Sequence, residues 1–213
     1  MSDYHDFVFN LRERKLIGDF EAMYRAEHEF GFDSWHQDDV NSRFDVVQIM
    51  QILRDRQYST IVDVGCGKGS LSQLLSRFAE TTIGIDISET AVSEAARRFP
   101  NLIFRVVDVS NDLTFSSFVE ERSKQQSRPI LFVMSQVLSY LENWSSLISA
   151  TLRSGAELMV ALYLPADPIG FVKSGPQLRS VIEVCGELRV DVECTELGQH
   201  IVWAIPREKP LGN

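Results

Sequence analysis

The run Ile61-Val62-Asp63-Val64-Gly65-Cys66-Gly67-Lys68-Gly69-Ser70 constrains this chain more than any other stretch. Apolar β-branched residues read as a buried strand. Three glycines at alternate positions then let the backbone turn sharply and approach a ligand closely. The segment that follows has helical periodicity, and its first turn offers free N–H groups to a polar ligand group. A strand that turns this tightly into a helix is the start of an α/β unit.

The rest of the chain repeats that alternation. Apolar runs at Thr60–Val64, Thr82–Asp86, Leu102–Asp108, Ile130–Met134 and Glu157–Leu164 read as buried strands. Helical patterns fall between them at Ser70–Ala79, Glu89–Phe99, Leu113–Gln125 and Glu142–Leu152, with Ser88, Asn111 and Asp112 placed as caps. Strict alternation predicts right-handed crossovers and a mostly parallel sheet with helices on both faces. After a helix at Gln177–Cys185, the runs Glu187–Cys194 and Gln199–Pro206 are joined by Leu197-Gly198, too short a link for parallel pairing. Residues 1–57 carry two helical patterns instead, about Phe9–His28 and Val40–Arg54, around a polar, aromatic stretch at Gly31–His36. They read as an N-terminal helical cover on a domain of residues 58–213, the whole forming one structural domain.

The loop departs from the patterns of two other nucleotide sites. A Walker loop needs GxxxxGK followed by Ser or Thr, but Val62 holds the first glycine position and Gly69 follows Lys68. A dinucleotide fingerprint needs a third Gly or Ala where Ser70 stands, and Asp63 would repel a pyrophosphate. An acid there favours a cationic ligand group. Asp86 ends the next strand about 20 residues on, where a carboxylate can accept from both ribose hydroxyls. Asp108 follows the third strand. Three acids ending successive strands at one sheet edge point to an adenosine-type ligand, and a nicotinamide oxidoreductase is disfavoured by Ser70 and Asp63.

Asp63-Val64-Gly65-Cys66-Gly67-Lys68-Gly69 resembles the D/E-x-G-x-G-x-G motif of class I S-adenosylmethionine (SAM)-dependent methyltransferases, and the likeness runs through about residues 58–206. The resemblance implies a Rossmann-like seven-stranded sheet with its last strand antiparallel. It implies SAM as methyl donor and S-adenosylhomocysteine (SAH) as product. Gly65, Cys66, Gly67 and Gly69 would approach the methionine part, with Asp63 suited to its ammonium group. Asp86, with Ile87 beside it, would hold the ribose; Asp108 would accept from the adenine amino group and Val109 N–H would address a ring nitrogen. Ser135 opens the segment Ser135-Gln136-Val137-Leu138-Ser139-Tyr140-Leu141, which is similar to the family's E-V-L-x-x-L with Gln136 in place of Glu. Phe20-Glu21-Ala22-Met23-Tyr24, Asp33-Ser34-Trp35 and Arg43 resemble the F-E-x-x-Y, D-P-W and arginine of nodulation-type N-methyltransferases and related sugar-modifying enzymes, with Ser34 where Pro is usual. By that likeness Arg43 reaches the SAM carboxylate.

Charge narrows the partners. Lys plus Arg is 21 against 30 for Asp plus Glu, a net charge of −9, so no bulk positive field draws in nucleic acid. The Asp/Asn-Pro-Pro-aromatic tetrapeptide of amino-methylating DNA enzymes is missing, as is a cysteine after the fourth strand. Apolar runs are too short to span a bilayer, and Met1–Asp6 has no apolar signal core. Cys66, Cys185 and Cys194 form no CxxC pair and suit a reducing cytoplasm. No metal site is expected.

Methyl transfer asks the protein to hold an acceptor atom in line at about 3–3.5 Å, and an alcohol also needs a base. Of four histidines, His36 beside Trp35 is the candidate base, while His200 in the last strand reads as structural or exposed. Tyr140 and Tyr163, after the fourth and fifth strands, are the other catalytic candidates. The expectation is methylation of an O or N on a small polar metabolite, a saccharide among the classes. The alternative is a non-catalytic SAM-binding sensor or partner subunit.

Overall fold

A computed structural model describes residues 5–123 and 128–207. The front section contains α1 (His5–Val8), β1 (Phe9–Asn10), β2 (Lys15–Leu16), α2 (Phe20–Phe30) and α3 (Phe44–Leu53), with 3-10 turns at Ser34–His36 and Val40–Ser42 between the last two. The alternating body follows: β3 (Tyr58–Val64), α4 (Ser70–Leu75), β4 (Ala79–Asp86), α5 (Glu89–Arg98), β5 (Ile103–Val106), α6 (Asp112–Ser123), β6 (Ile130–Ser135), α7 (Trp144–Arg153) and β7 (Glu157–Tyr163). It closes with α8 (Gly175–Cys185), β8 (Gly186–Cys194) and β9 (Gln199–Pro206).

The seven-stranded sheet runs β5-β4-β3-β6-β7-β9-β8, and β9 alone is antiparallel to its neighbours. This is the expected Rossmann-like fold, with the last strand in the chain inserted between β7 and β8. Period-two alternation sorts each strand between two cores. Val62, Phe132, Met134, Leu158 and Val160 meet Phe115, Trp144, Leu147 and Ile182 of α6, α7 and α8 on one face. Ile61, Leu131, Val133, Met159 and Ala161 meet Ile49, Leu53 and Leu75 of α3 and α4 on the other.

Three expectations change. The first helical pattern does not run from Phe9: residues 9–16 form a short antiparallel hairpin, and the helix starts at Phe20. The cause is local, because Gly18 turns the chain at φ 74° and the Asp19 carboxylate accepts from Ala22 N–H, fixing the helix start there. The third strand, expected to be buried, is an edge strand paired only with β4, and Ile103 and Val106 are 43% and 49% exposed. The fourth-strand approach is as expected, but the α4 helix ends early, since Ala79 already pairs with Tyr58 in the sheet. Met1–Tyr4 and the Gln125 end of the third helical pattern lie outside the described residues.

Candidate active site

The carboxyl ends of β3, β4 and β6 and the turn after β5 meet the front section around a cavity of about 330 Å³, the size of a small-ligand site. The glycine loop forms its floor. Gly65, Gly67 and Gly69 all have positive φ, which L side chains rarely adopt. The N–H groups of Gly65 and Cys66 both donate to Ile85 O, at 2.8 and 3.0 Å, which ties the loop to the end of β4.

The three acids take up the expected positions along adjacent strands. Asp63 is buried beneath the cavity and accepts from Ser72 Oγ at 2.6 Å. Burial raises its pKa to about 7; the nearby Asp86 charge pushes the same way, while the Ser72 hydrogen bonds and the Arg43 charge pull against it. Asp86 lies one strand over. Its Oδ2 accepts from Gly67 N–H at 2.9 Å and its Oδ1 from Ser88 N–H at 3.0 Å, which fixes the carboxylate at the cavity wall. Burial also pushes the Asp86 carboxyl upward, against those backbone donors. Asp108 Oδ1 accepts from Ser110 N–H and Oγ at 2.9 and 2.6 Å, which fixes the carboxylate at the rim. Ser70 Oγ is buried, lines the cavity and has no hydrogen-bond partner among the described residues. An orphaned hydroxyl in such a place fits a site built to receive a polar ligand group.

Arg43 stands just before α3 and its guanidinium grips Asp45 with two bonds, Nε to Oδ1 at 3.1 Å and Nη2 to Oδ2 at 2.6 Å. Burial works to raise the Asp45 carboxyl, but the Arg43 pairing outweighs it and holds the group below its ordinary value. Ser135 Oγ and Gln136 Nε2 also donate to Asp45, at 3.1 and 3.2 Å. Gln136 further donates to Gln199 and accepts from Tyr163 N–H, with its backbone at φ 59°. The residue standing where the family pattern has Glu is therefore committed to cross-links between α3, β7 and β9.

The front section is fastened to the glycine loop by Lys68. Its ammonium group pairs with Glu27 at 2.5 Å, Asp33 at 2.9 Å and Asp38 at 3.3 Å. Gln37 adds a second tie, accepting from Lys68 N–H at 2.7 Å and donating to the Tyr24 hydroxyl at 2.9 Å. Glu21 caps α5 from outside, accepting from Ser88 Oγ at 2.6 Å and Thr90 Oγ1 at 2.7 Å. Facing the end of β6, the rings of Phe20 and Trp35 stand 5.3 and 5.7 Å from that of Tyr140.

Arg43, Asp63, Gly65, Cys66, Asp86, Ile87, Asp108, Val109, Ser135 and Tyr140 all line the cavity. Gly67 and Gly69 are buried behind it, against Tyr24 and Phe104 respectively. His36 is exposed and outside the lining; its neighbour Trp35 faces the cavity instead. Tyr163 is 53% exposed and likewise outside the lining. His200 is buried against Gly175, as a structural residue would be. Sequence reasoning missed Gln37, Lys68 and Asp45. Lys68 alone carried a signal, a lysine inside the glycine motif. Among the described residues no cluster of His, Cys, Asp or Glu could hold a metal ion, and no helix is long and apolar enough to cross a membrane.

Residues 61–148 match a family model described as a methyltransferase domain. The trans-aconitate 2-methyltransferase of Methylobacterium nodulans is 32% identical over 96 residues, covering 44% of this chain and 33% of that protein. The chain thus spans about a third of the length of the curated relatives it matches. The N-methyltransferase NodS of Bradyrhizobium japonicum, solved in complex with SAH, superposes with a TM-score of 0.65 at 16% identity, over 87% of this chain and 98% of that one. A SAM-dependent methyltransferase of Anabaena variabilis gives 0.70 at 12% identity, over 93% and 96%. Residues 61–148 are thus similar to a methyltransferase domain, and the whole chain shares the fold of NodS and of the Anabaena protein.

Proposed function

We propose that the chain is a SAM-dependent methyltransferase that moves a methyl group onto an O or N of a small acceptor. The observation that carries this reading is that Asp63 and Asp86 at the ends of β3 and β4, and Asp108 in the turn after β5, line one cavity over a glycine loop. The NodS complex with SAH supports the same ligand for this cavity. SAM supplies the electrophilic methyl group. The chain's own residues do the rest: Asp86 and Asp108 hold the adenosine end, Asp63 and Arg43 suit the ammonium and carboxylate of the amino-acid end, and the front section excludes water from the transfer face. Free thiols at Cys66, Cys185 and Cys194 support a reducing compartment, the cytoplasm being the simplest.

Calorimetric titration with SAM, SAH and NADH tests the reading. Binding of SAM and SAH that collapses in Asp86→Ala, with silence from NADH, is the expected result. Tight NADH binding without either sulfur compound would overturn it.

A further inference from the structure

Part of the cavity wall has a chemistry of its own. Leu16, Ile17, Phe20, Trp35 and Tyr140 line it, and Phe9 backs the Tyr140 ring at 5.9 Å. Phe20, Trp35 and Tyr140 are half-buried, pack on one another as an aromatic cluster, and all three line the cavity. Trp35 is held at φ 61°, backbone strain of the kind that gathers at functional positions.

The charged groups restrict what can sit there. Arg43 is the one cation among the described lining residues, and Asp45 holds it in a bidentate pair. An anionic acceptor would find no unengaged cation and three carboxylates. No described histidine or lysine lines the cavity to take a proton from an alcohol or an ammonium group. Asp86 and Asp108 belong to the adenosine end, Asp63 is taken by the donor's ammonium group on the reading above, and burial holds the Tyr24 hydroxyl well above its ordinary value. What remains is a nucleophile with a lone pair and no proton to shed.

We infer that the acceptor is a flat heteroaromatic compound presenting an uncharged ring nitrogen, seated among Phe20, Trp35 and Tyr140; this rests on the methyl-donor reading above. The nitrogen lone pair forms the new N–CH3 bond, the C–S bond breaks, and its electron pair stays on sulfur, giving SAH. Positive charge moves from sulfur to the ring, so no base is needed. Aromatic faces suit both the flat substrate and the cation it becomes, through stacking and cation–π attraction.

Isoquinoline is the probe, with glucosamine and trans-aconitate as sugar and carboxylate comparators, and SAH formation as one readout. The other is calorimetric binding of N-methylisoquinolinium to the SAH-loaded protein. Isoquinoline is expected to be methylated with a kcat/KM at least about tenfold above either comparator. Trp35→Ala and Tyr140→Ala should each weaken N-methylisoquinolinium about tenfold while SAH affinity stays within about twofold, and Trp35→Phe should retain most of the binding. Failure to methylate isoquinoline in a protein that binds SAH overturns the acceptor assignment alone. A silent SAH titration overturns the donor reading beneath it.

Discussion

Gly67 sits where a side chain cannot. Its φ is 51°, and a Cβ there would approach the Tyr24 hydroxyl to 2.6 Å and press on the Gln37 carboxamide. Gly67→Ala should therefore push the front section off the glycine loop. Strain of this kind costs about 1–3 kcal/mol, so urea unfolding should show that loss together with weaker SAH binding. Unchanged stability would mean the front section yields freely at this point. At the opposite edge of the sheet, Glu157 accepts from the Tyr58 hydroxyl at 2.8 Å and from Trp203 Nε1 at 3.0 Å. Tyr58 is 2% exposed, so Glu157→Ala strands a buried hydroxyl. That should cost about 1–3 kcal/mol, and adding Tyr58→Phe should recover the hydroxyl's share while Trp203 Nε1 stays unpaired. A double variant no more stable than the single would place the loss elsewhere.

Lys68 joins elements that the chain keeps far apart. Its partners Glu27, Asp33 and Asp38 come from α2 and the loop after it, and Glu27 is as buried as the lysine. Burial works to lower the Lys68 pKa, but Glu27 and Asp33 outweigh it and hold the group above its ordinary value. Lys68→Met leaves a buried carboxylate uncompensated, which typically costs about 3–5 kcal/mol. Hydrogen exchange should then quicken across α2 while the sheet strands stay protected; equal quickening everywhere would argue against a local latch. The same elements show what the sequence could carry. β3, β4 and β6 and the acids that end β3 and β4 were legible because buried runs, turn glycines and strand-end carboxylates are local patterns. The hairpin at Phe9–Leu16 was not, since two-residue strands have no period to read. Nor was the choice of Trp35 over His36, because both adopt left-handed backbone and only the packing of Phe20 and Tyr140 decides which ring faces inward. Lys68, Gln37 and Asp45 depend on partners from distant segments, which spacing along the chain does not encode.

The whole molecule holds acids shifted in two opposed directions, and its stability should record both. Burial tends to raise the Glu21 carboxyl, but hydrogen bonds from Ser88, Thr90 and Arg25 outweigh it and hold the group at about 2. Asp33 and Asp45 are lowered as well, against burial, by Lys68 and Arg43 respectively. A depressed acid stabilises the fold above its unfolded value, and that contribution fades as pH falls from about 4.5 toward about 2. Asp63 works the other way. Its unfolded value is 3.8 and its folded value about 7, so the native state holds the proton longer and stability declines as pH rises between those limits. Asp86 is raised by burial and adds to the decline. A net charge of −9 pushes in the same direction through self-repulsion, so the wild-type curve alone does not isolate the buried acids. Asp63→Asn does isolate one of them. Scanning calorimetry should show Tm falling from about pH 5 to about pH 7 in the wild type and falling less in the variant. SAH brings an ammonium group that favours ionised Asp63, so saturation with it should also flatten the wild-type decline and release a proton near neutral pH. Titration in buffers of different ionisation enthalpy would detect that proton, and Asp63→Asn should abolish the buffer dependence. Parallel curves for the two proteins, with no buffer dependence in either, would place the ammonium group away from Asp63 and leave the amino-acid end of the ligand to Arg43.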